Sequence, residues 1–154
     1  MNIKQIYLPD YQLVTPLFNR YRMFYNQSSN MDLAEGFIKD RLHNNESRIF
    51  VALMDKAGEQ VPAGFTQLYP ILSSVKATKN WLLNDLYVDG DYRRQGIGEA
   101  LIKAAMDFAR SEHSTYIKLE TAMDNYTAQR LYEALGFKRQ ELIKSFYTYK
   151  VDIG

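Results

Sequence analysis

Six residues, Arg93-Arg94-Gln95-Gly96-Ile97-Gly98, constrain this chain more than any other stretch. Before them an apolar run from Trp81 to Val88 reads as a strand, and Asp89-Gly90-Asp91-Tyr92 reads as a turn. After the loop, Ile97 to Arg110 reads as an amphipathic helix with Ile97, Leu101, Ala104, Ala105 and Phe108 on one face. A strand, a glycine-containing loop and a helix in that order aim backbone N–H groups at an anion. The first amides of a helix have no partner within it, and its dipole adds about half a positive charge there. Gly96 and Gly98 clear side chains from where a phosphate must approach, and Arg93 and Arg94 add charged donors. Two glycines at a helix start also serve as a close-packing device, so the loop carries two readings. It is not a Walker A loop, which needs Gly-Lys-Ser/Thr, and the third glycine of a dinucleotide fingerprint is missing.

At 154 residues the chain is expected to form one domain, residues 1–154, with a core of its own. A net charge of +1 gives no field that demands nucleic acid or an anionic membrane. Cysteine is absent, which excludes disulfides, thiolate metal sites and a cysteine nucleophile and fits a reducing cytoplasm. No apolar run approaches the ~20 residues of a membrane span, and the N-terminus lacks a signal-peptide core. His43 and His113 fall at predicted helix ends among polar residues, and no metal-ligand spacing exists.

In chain order, residues 2–8 read as a strand. Residues 11–26 read as a helix, with Pro16 tolerated in its first turns. Asp32 or Asn30 caps a second helix that reaches about Leu42. Arg48 to Met54 and Val61 to Leu72 read as a hairpin, with Gly64 marking a bulge or a close backbone approach. Ser73 to Asn80 is a polar connection to the strand Trp81–Val88. Tyr116 to Thr121 is a short strand, and Thr127 to Leu135 is a helix with Asn125 at its cap and Gly136 as its stop. Phe137 to Leu142 and Ser145 to Val151 read as a closing strand pair. The order is β-α-α-β-β-β-α-β-α-β-β, a mixed α/β fold of the α+β, mixed-sheet kind.

The spacing R-x-x-G-x-G, followed by Asn125 to Phe137 as N-x-x-A-x-x-L-Y-x-x-x-G-F, resembles the GCN5-related N-acetyltransferase (GNAT) superfamily. The two motifs together span roughly residues 82–137. The resemblance implies the acyl-coenzyme A N-acyltransferase fold, whose element order the pattern above gives independently. It implies acetyl-coenzyme A as co-substrate, with no metal. By the same resemblance, Leu86, Tyr87 and Val88 would pair with the pantetheine arm in a gap between parallel strands. Arg93, Arg94, Gln95, Gly96, Ile97, Gly98 and Glu99 would receive the pyrophosphate, and Asn125 and Ala128 would line the arm's other wall. Tyr132 matches the tyrosine that many members use as general acid. A phenol near pKa ~10 can protonate a departing thiolate at close range. In isolation Tyr132 also reads as the buried face of its helix.

An acceptor amine of pKa ~10 must lose a proton before it attacks. Many members place a glutamate before the aspartate of the central strand, whereas here the pair is Asn84-Asp85. Asp85 is therefore the candidate base, directly or through water, beside a structural reading in which it accepts loop hydrogen bonds. Glu120 is a further carboxylate near the expected cofactor. By the same resemblance the acceptor pocket would draw on Phe24, Tyr25, Asp32, Glu35, Tyr69 and Asp85, with Ser73 also available. Aromatic rings with a few carboxylates suit a small cation, while Phe24 and Tyr25 also read as core. The stretches 24–29, 64–70 and 83–88 look most like the branch with diamine, amino-acid and histone acetyltransferases. The leading expectation is N-acetylation of a small-molecule amine. Acetylation of a protein lysine or N-terminus is the alternative, and a non-catalytic coenzyme A-binding sensor is the alternative from another class. A homodimer is expected, because Phe146, Tyr147 and Tyr149 would offer apolar edges that need cover. No nucleic-acid or membrane partner is expected.

Overall fold

Ile49, Phe50, Val51, Ala52 and Leu53 are all buried, in a run without alternation. A strand covered on both faces demands such a run. These residues lie in β2 (Arg48–Lys56). Around them the computed structural model, which describes residues 1–142 and 145–154, forms a five-stranded sheet in the order β1-β2-β3-β4-β5. β1 (Asn2–Ile6), β2, β3 (Glu59–Ser73) and β4 (Thr78–Val88) are successively antiparallel, and β5 (Ile117–Lys118) runs parallel to β4. The result is the expected mixed α/β fold with a mixed sheet.

On one face of the sheet lie α1 (Thr15–Phe24) and α2 (Met31–His43), enclosing Val14, Leu17, Phe18, Ala34 and Ile38 against Ile49, Val51, Leu53 and Phe65. On the other face lies α3 (Ile97–Ser111), where the ring of Phe108 meets those of Phe50 at 5.7 Å and Trp81 at 5.1 Å. Gly64 sits where β3 closely approaches β4 and the start of α3: a Cβ there would stand 2.7 Å from the Tyr87 carbonyl oxygen and 3.2 Å from Ile97 Cγ2.

Several boundaries differ from the sequence expectation. The single helix expected over 11–26 is a 3₁₀ segment, Leu8–Leu13, followed by α1. Pro16 has no N–H with which to continue an α-helix from the preceding turn, so the chain restarts at Thr15. Asn30, not Asp32, caps α2, its side chain accepting from the Leu33 amide at 3.0 Å. The polar connection expected over 73–80 narrows to a turn at 74–77, because β3 and β4 stay paired out to Ser73 and Thr78. The strand expected over 116–121 pairs only at Ile117 and Lys118.

The chain divides into two units, Met1–Glu120 and Thr121–Gly154. The first holds the sheet and α1 to α3. The second holds α4 (Tyr126–Ala134), capped by Asn125, whose side chain accepts from the Ala128 amide at 3.3 Å. Gly136, at φ +97°, ends α4 in a Schellman motif: the Phe137 amide reaches the Tyr132 carbonyl at 3.0 Å and the Gly136 amide reaches Glu133 at 3.1 Å. The closing strand pair expected over 137–142 and 145–151 is not found among the described residues. Ile143 and Lys144, between the two, lie outside them. A strand exists only through its ladder, and an alternating sequence such as Tyr147, Tyr149, Val151 and Ile153 supplies no partner by itself. These four side chains are exposed.

Candidate active site

β4 is the element on which the site is built. Its parallel ladder to β5 ends at Leu82 and Lys118, while its antiparallel ladder to β3 continues to Val88 opposite Gly64. From Leu83 to Val88 the strand is therefore paired on one side only, among the described residues. The Asp89 amide donates to the Ala63 carbonyl at 2.8 Å. Alternation along an antiparallel ladder then turns the backbone groups of Tyr87 toward β3 and those of Leu86 and Val88 toward the open edge. In keeping with this, the Val88 carbonyl accepts from Arg93 Nε at 3.1 Å. An open strand edge of this kind offers main-chain donors and acceptors to an extended ligand.

The loop after β4 passes through a 3₁₀ turn, Gly90–Tyr92, and two left-handed residues, Arg94 at φ +64° and Gly96 at φ +78°. Gly96 is the N-cap of α3, and no side chain caps that helix start. Among the described residues, a Cβ on Gly96 would meet nothing within 4 Å, and one on Gly98 only Val88 Cγ2 at 3.9 Å. The close-packing reading of these glycines thus loses its basis inside the chain. Gly96 is required by its backbone angle, and Gly98 keeps open the space outside the helix start. Uncapped amides facing open space fit the pyrophosphate of a nucleotide cofactor. Gln95 is exposed, Ile97 is buried, and Glu99 pairs with Lys103 at 2.9 Å. Arg93 also lies over the Phe24 ring, 5.7 Å from its centroid, and Arg20 pairs with Asp89 at 3.1 Å. α1 is in this way tied to the first part of the loop, at Asp89 and at Arg93.

Asp85 is 4 % exposed and lies opposite Gln67 on β3, beside a bulge that leaves Asn84 without a partner in the register. Its carboxylate accepts from Tyr21 Oη at 2.9 Å, from Asn84 Nδ2 at 2.8 Å and from Gln67 Nε2. The other end of the Gln67 amide accepts from Ser47 Oγ at 2.8 Å, which fixes the amide's orientation. The Thr66 hydroxyl donates to the Asp85 carbonyl at 2.8 Å. Burial first, and then the charge and hydrogen bond of Asp85, hold the Tyr21 phenol far above its ordinary range. Burial and then the Asp85 charge push Tyr69 up to about 12, against an opposing pull from Arg41.

Tyr69 therefore keeps its proton longer in the folded chain than in the unfolded one. Its favourable contribution is complete below pH ~10 and is lost as the pH rises through about 12. An absorbance titration of the protein minus that of a Tyr69→Phe variant should give a midpoint near 12. A difference midpoint near the ordinary ~10 would place Tyr69 in water.

The expected acceptor residues are only partly brought together. Tyr25 and Tyr69 both act on the Tyr21 phenol, Tyr69 also on the side of Asp85, and Phe24 meets Tyr25 at 5.3 Å. Phe24 and Tyr25 are 60 % and 59 % exposed, so the core reading of this pair does not hold. Asp32 in the first turn of α2 is exposed and Glu35 is partly exposed; among the described residues the hydrogen bonds of the Asp85 carboxylate come from Tyr21, Asn84 and Gln67, not from these two. Ser73 ends β3, and Glu120 is exposed at the end of the first unit. Tyr21, Gln67 and Ser47 were not singled out by the sequence reading. Tyr21 hid in the apolar stripe of its helix, and the other two had no signal beyond being polar within strands. In the second unit Tyr132 is partly buried on α4, its ring 6.1 Å from that of Phe137, and Ala128 lies one turn before it.

Among the described residues no three His, Cys, Asp or Glu side chains gather as a metal group would require. His43 ends α2 and His113 follows α3, both exposed. No helix among the described residues is long and apolar enough to cross a membrane.

With this geometry in view, comparison with known proteins is informative. An uncharacterized N-acetyltransferase of Bacillus subtilis (strain 168), YhfO, is 43 % identical over 138 residues, which is 90 % of each chain. The crystal structure of a probable acetyltransferase superposes with a TM-score of 0.86 at 37 % identity, covering 100 % of this chain and 99 % of that one. An aminoglycoside N-acetyltransferase crystallised with coenzyme A shares the fold at a TM-score of 0.77 and 20 % identity, covering 97 % and 95 %. The sequence profile of one family runs from residue 3 to residue 137, through β4, its loop, α3 and α4 alike. The chain belongs to the acetyltransferase (GNAT) family, and it is an N-acetyltransferase whose co-substrate is acetyl-coenzyme A.

Proposed function

We propose that the acetyl group passes to the primary amine of a small molecule, a polyamine, a diamine or an amino acid, by direct attack on the thioester. The observation that carries this reading is a carboxylate, Asp85, set on the half-paired segment of β4 among the tyrosines 21, 25 and 69. Ring faces and a carboxylate suit a compact cation. Nothing comparable favours a basic peptide: Lys39 and Arg41 on α2 lie over the rings of Tyr11 at 4.9 Å and Phe37 at 4.3 Å, and they offset Asp32, Glu35 and Asp40.

In this reading acetyl-coenzyme A supplies the activated thioester, and the chain's own residues position it and move protons. Leu86 and Val88 present main-chain groups to the pantetheine arm, with Tyr87 between them. Arg93 to Glu99 hold the pyrophosphate on the α3 amides, and Asn125 and Ala128 line the arm. Asp85 takes the proton from the amine, and Tyr132 returns one to the departing thiolate. The whole chain acts as one acetyltransferase domain; the family match supports this by running through the first unit and into the second as far as residue 137. A cytoplasmic location accords with the lack of cysteine.

Side-by-side kinetics decide the acceptor. Spermidine, 1,4-diaminobutane or lysine should give a higher kcat/KM than a lysine-rich peptide, and raised salt should weaken the cationic acceptors modestly. A higher kcat/KM for the peptide would move the function to protein acetylation. We also propose a homodimer, with the exposed Phe146, Tyr147 and Tyr149 covered in it. Light scattering at micromolar concentration should give twice the 18.0 kDa chain mass; a monomer would contradict this.

A further inference from the structure

We propose that the Tyr21 hydroxyl is the group that meets the acceptor amine and relays its proton to Asp85. The inference rests on the reading of Asp85 as the base and says how a buried base is reached. Asp85 is 4 % exposed, and three side-chain donors already occupy its carboxylate. A substrate amine has little room to touch it. Tyr21 is partly exposed, and its hydroxyl hydrogen is committed to Asp85 Oδ1 at 2.9 Å. A phenol oxygen that donates in one direction keeps its lone pairs for a donor arriving from another. Those lone pairs suit an ammonium N–H. Tyr21 is also held rigidly, its ring centroid lying 5.1 Å from Tyr25, 5.6 Å from Phe65 and 6.3 Å from Tyr87.

The step balances within these groups. The ammonium proton passes to Tyr21 Oη while the proton already on Oη passes to Asp85 Oδ1. The amine is left with its lone pair, the phenol is unchanged, and the carboxylate becomes a carboxylic acid. Because burial and Asp85 disfavour a phenolate, Tyr21 serves as a conduit rather than as the resting base. Gln67 and Ser47 are positioning residues that fix the second carboxylate oxygen, Oδ2, while Asn84 Nδ2 at 2.8 Å shares Oδ1 with Tyr21 and leaves it one lone pair for the relayed proton. A polar chain of this kind, with Ser47, Gln67 and Asp85 all nearly fully buried, is costly in a sheet core unless every member is satisfied, and it stabilises less than apolar packing would. A role in proton transfer accounts for it. The ionisable groups that face the pair are Tyr25 at the end of α1, Tyr69 on β3, Tyr87 on β4 and, acting on Tyr69, Arg41 on α2.

Tyr21→Phe keeps the ring contacts to Phe18, Tyr25, Phe65 and Tyr87 and deletes only the hydroxyl. Its kcat/KM, measured with the fastest acceptor among spermidine, 1,4-diaminobutane, lysine and a lysine-rich peptide, should fall ~10²-fold at pH 7. The defect should shrink as the pH approaches ~10, where free amine is abundant. Asp85→Asn should show the same pH-dependent defect, and the double variant should be little worse than either single one, because the two residues act as a unit. On the unaltered protein, a proton inventory in mixed light and heavy water should be bowed, as two protons move together. A Tyr21→Phe profile that tracks the unaltered enzyme, with Asp85→Asn still pH-dependent, would overturn the relay and leave Asp85 as base. A linear inventory would do the same. An Asp85→Asn defect equal at every pH would remove the base itself, and the relay with it.

Discussion

Gly96→Val should leave a folded protein that binds coenzyme A at least ~100-fold more weakly, a loss of about 2.7 kcal/mol or more. Two effects combine at this position. Gly96 holds φ +78°, and a β-branched residue pays roughly 1–3 kcal/mol to stay there. The added side chain also projects into space that none of the described residues fills, directly at the uncapped start of α3. Gly98→Val separates the two effects. It carries no left-handed strain, and its Cβ would find only Val88 Cγ2 at 3.9 Å, so thermal stability should change little while affinity still falls. Calorimetric titration of both variants with coenzyme A, alongside their melting curves, checks the pair. Unchanged affinity in folded Gly98→Val and Gly96→Val would take the loop out of the cofactor site.

The second large effect lies in the other unit. Tyr132→Phe should reduce turnover ~10²–10⁴-fold with little change in coenzyme A affinity, if the hydroxyl protonates the departing thiolate. The variant keeps the ring and its approach to Phe137 at 6.1 Å, so the turn that closes α4 at Gly136 should survive. Stopped-flow single-turnover rates isolate the chemical step from product release. A variant that retains most of its rate would make Tyr132 a packing residue, as its place on the partly buried face of α4 also allows.

The reach of sequence reasoning follows the range of the forces involved. The loop, α3, Asn125 as a cap and Gly136 as a stop are local events, governed by residues within one or two turns, and each lies where the spacing places it. Cap choice at α2 went to Asn30 over Asp32 because Asn30 is also anchored by its amide to Asn19 Oδ1 at 2.9 Å, a contact eleven residues away. Strand existence was legible where apolar runs were long, as in β2 and β4, but strand extent was not. Where β5 stops, and whether residues after Phe137 pair at all, depends on partners that no alternation pattern supplies. Asp85 was legible as a candidate, yet its surroundings were not. Tyr21 lies 64 residues away, and Gln67 and Ser47 are 18 and 38 residues away along the chain, the latter distance being 85 minus 47. Only the folded sheet with α1 packed on it brings them into one hydrogen-bonded chain.

At the centre of the account is amine-dependent turnover of acetyl-coenzyme A. The most direct measurement is release of the free thiol, followed with a thiol-reactive dye, in the presence and absence of an amine panel of spermidine, 1,4-diaminobutane and lysine. The protein contributes no signal of its own, since it has no cysteine. Thiol release that rises and saturates with at least one small amine, with mass spectrometry finding the acetyl group on that amine, is the predicted result. Tight binding of acetyl-coenzyme A with no amine-dependent release of thiol would contradict it, and would leave a coenzyme A-binding module without turnover.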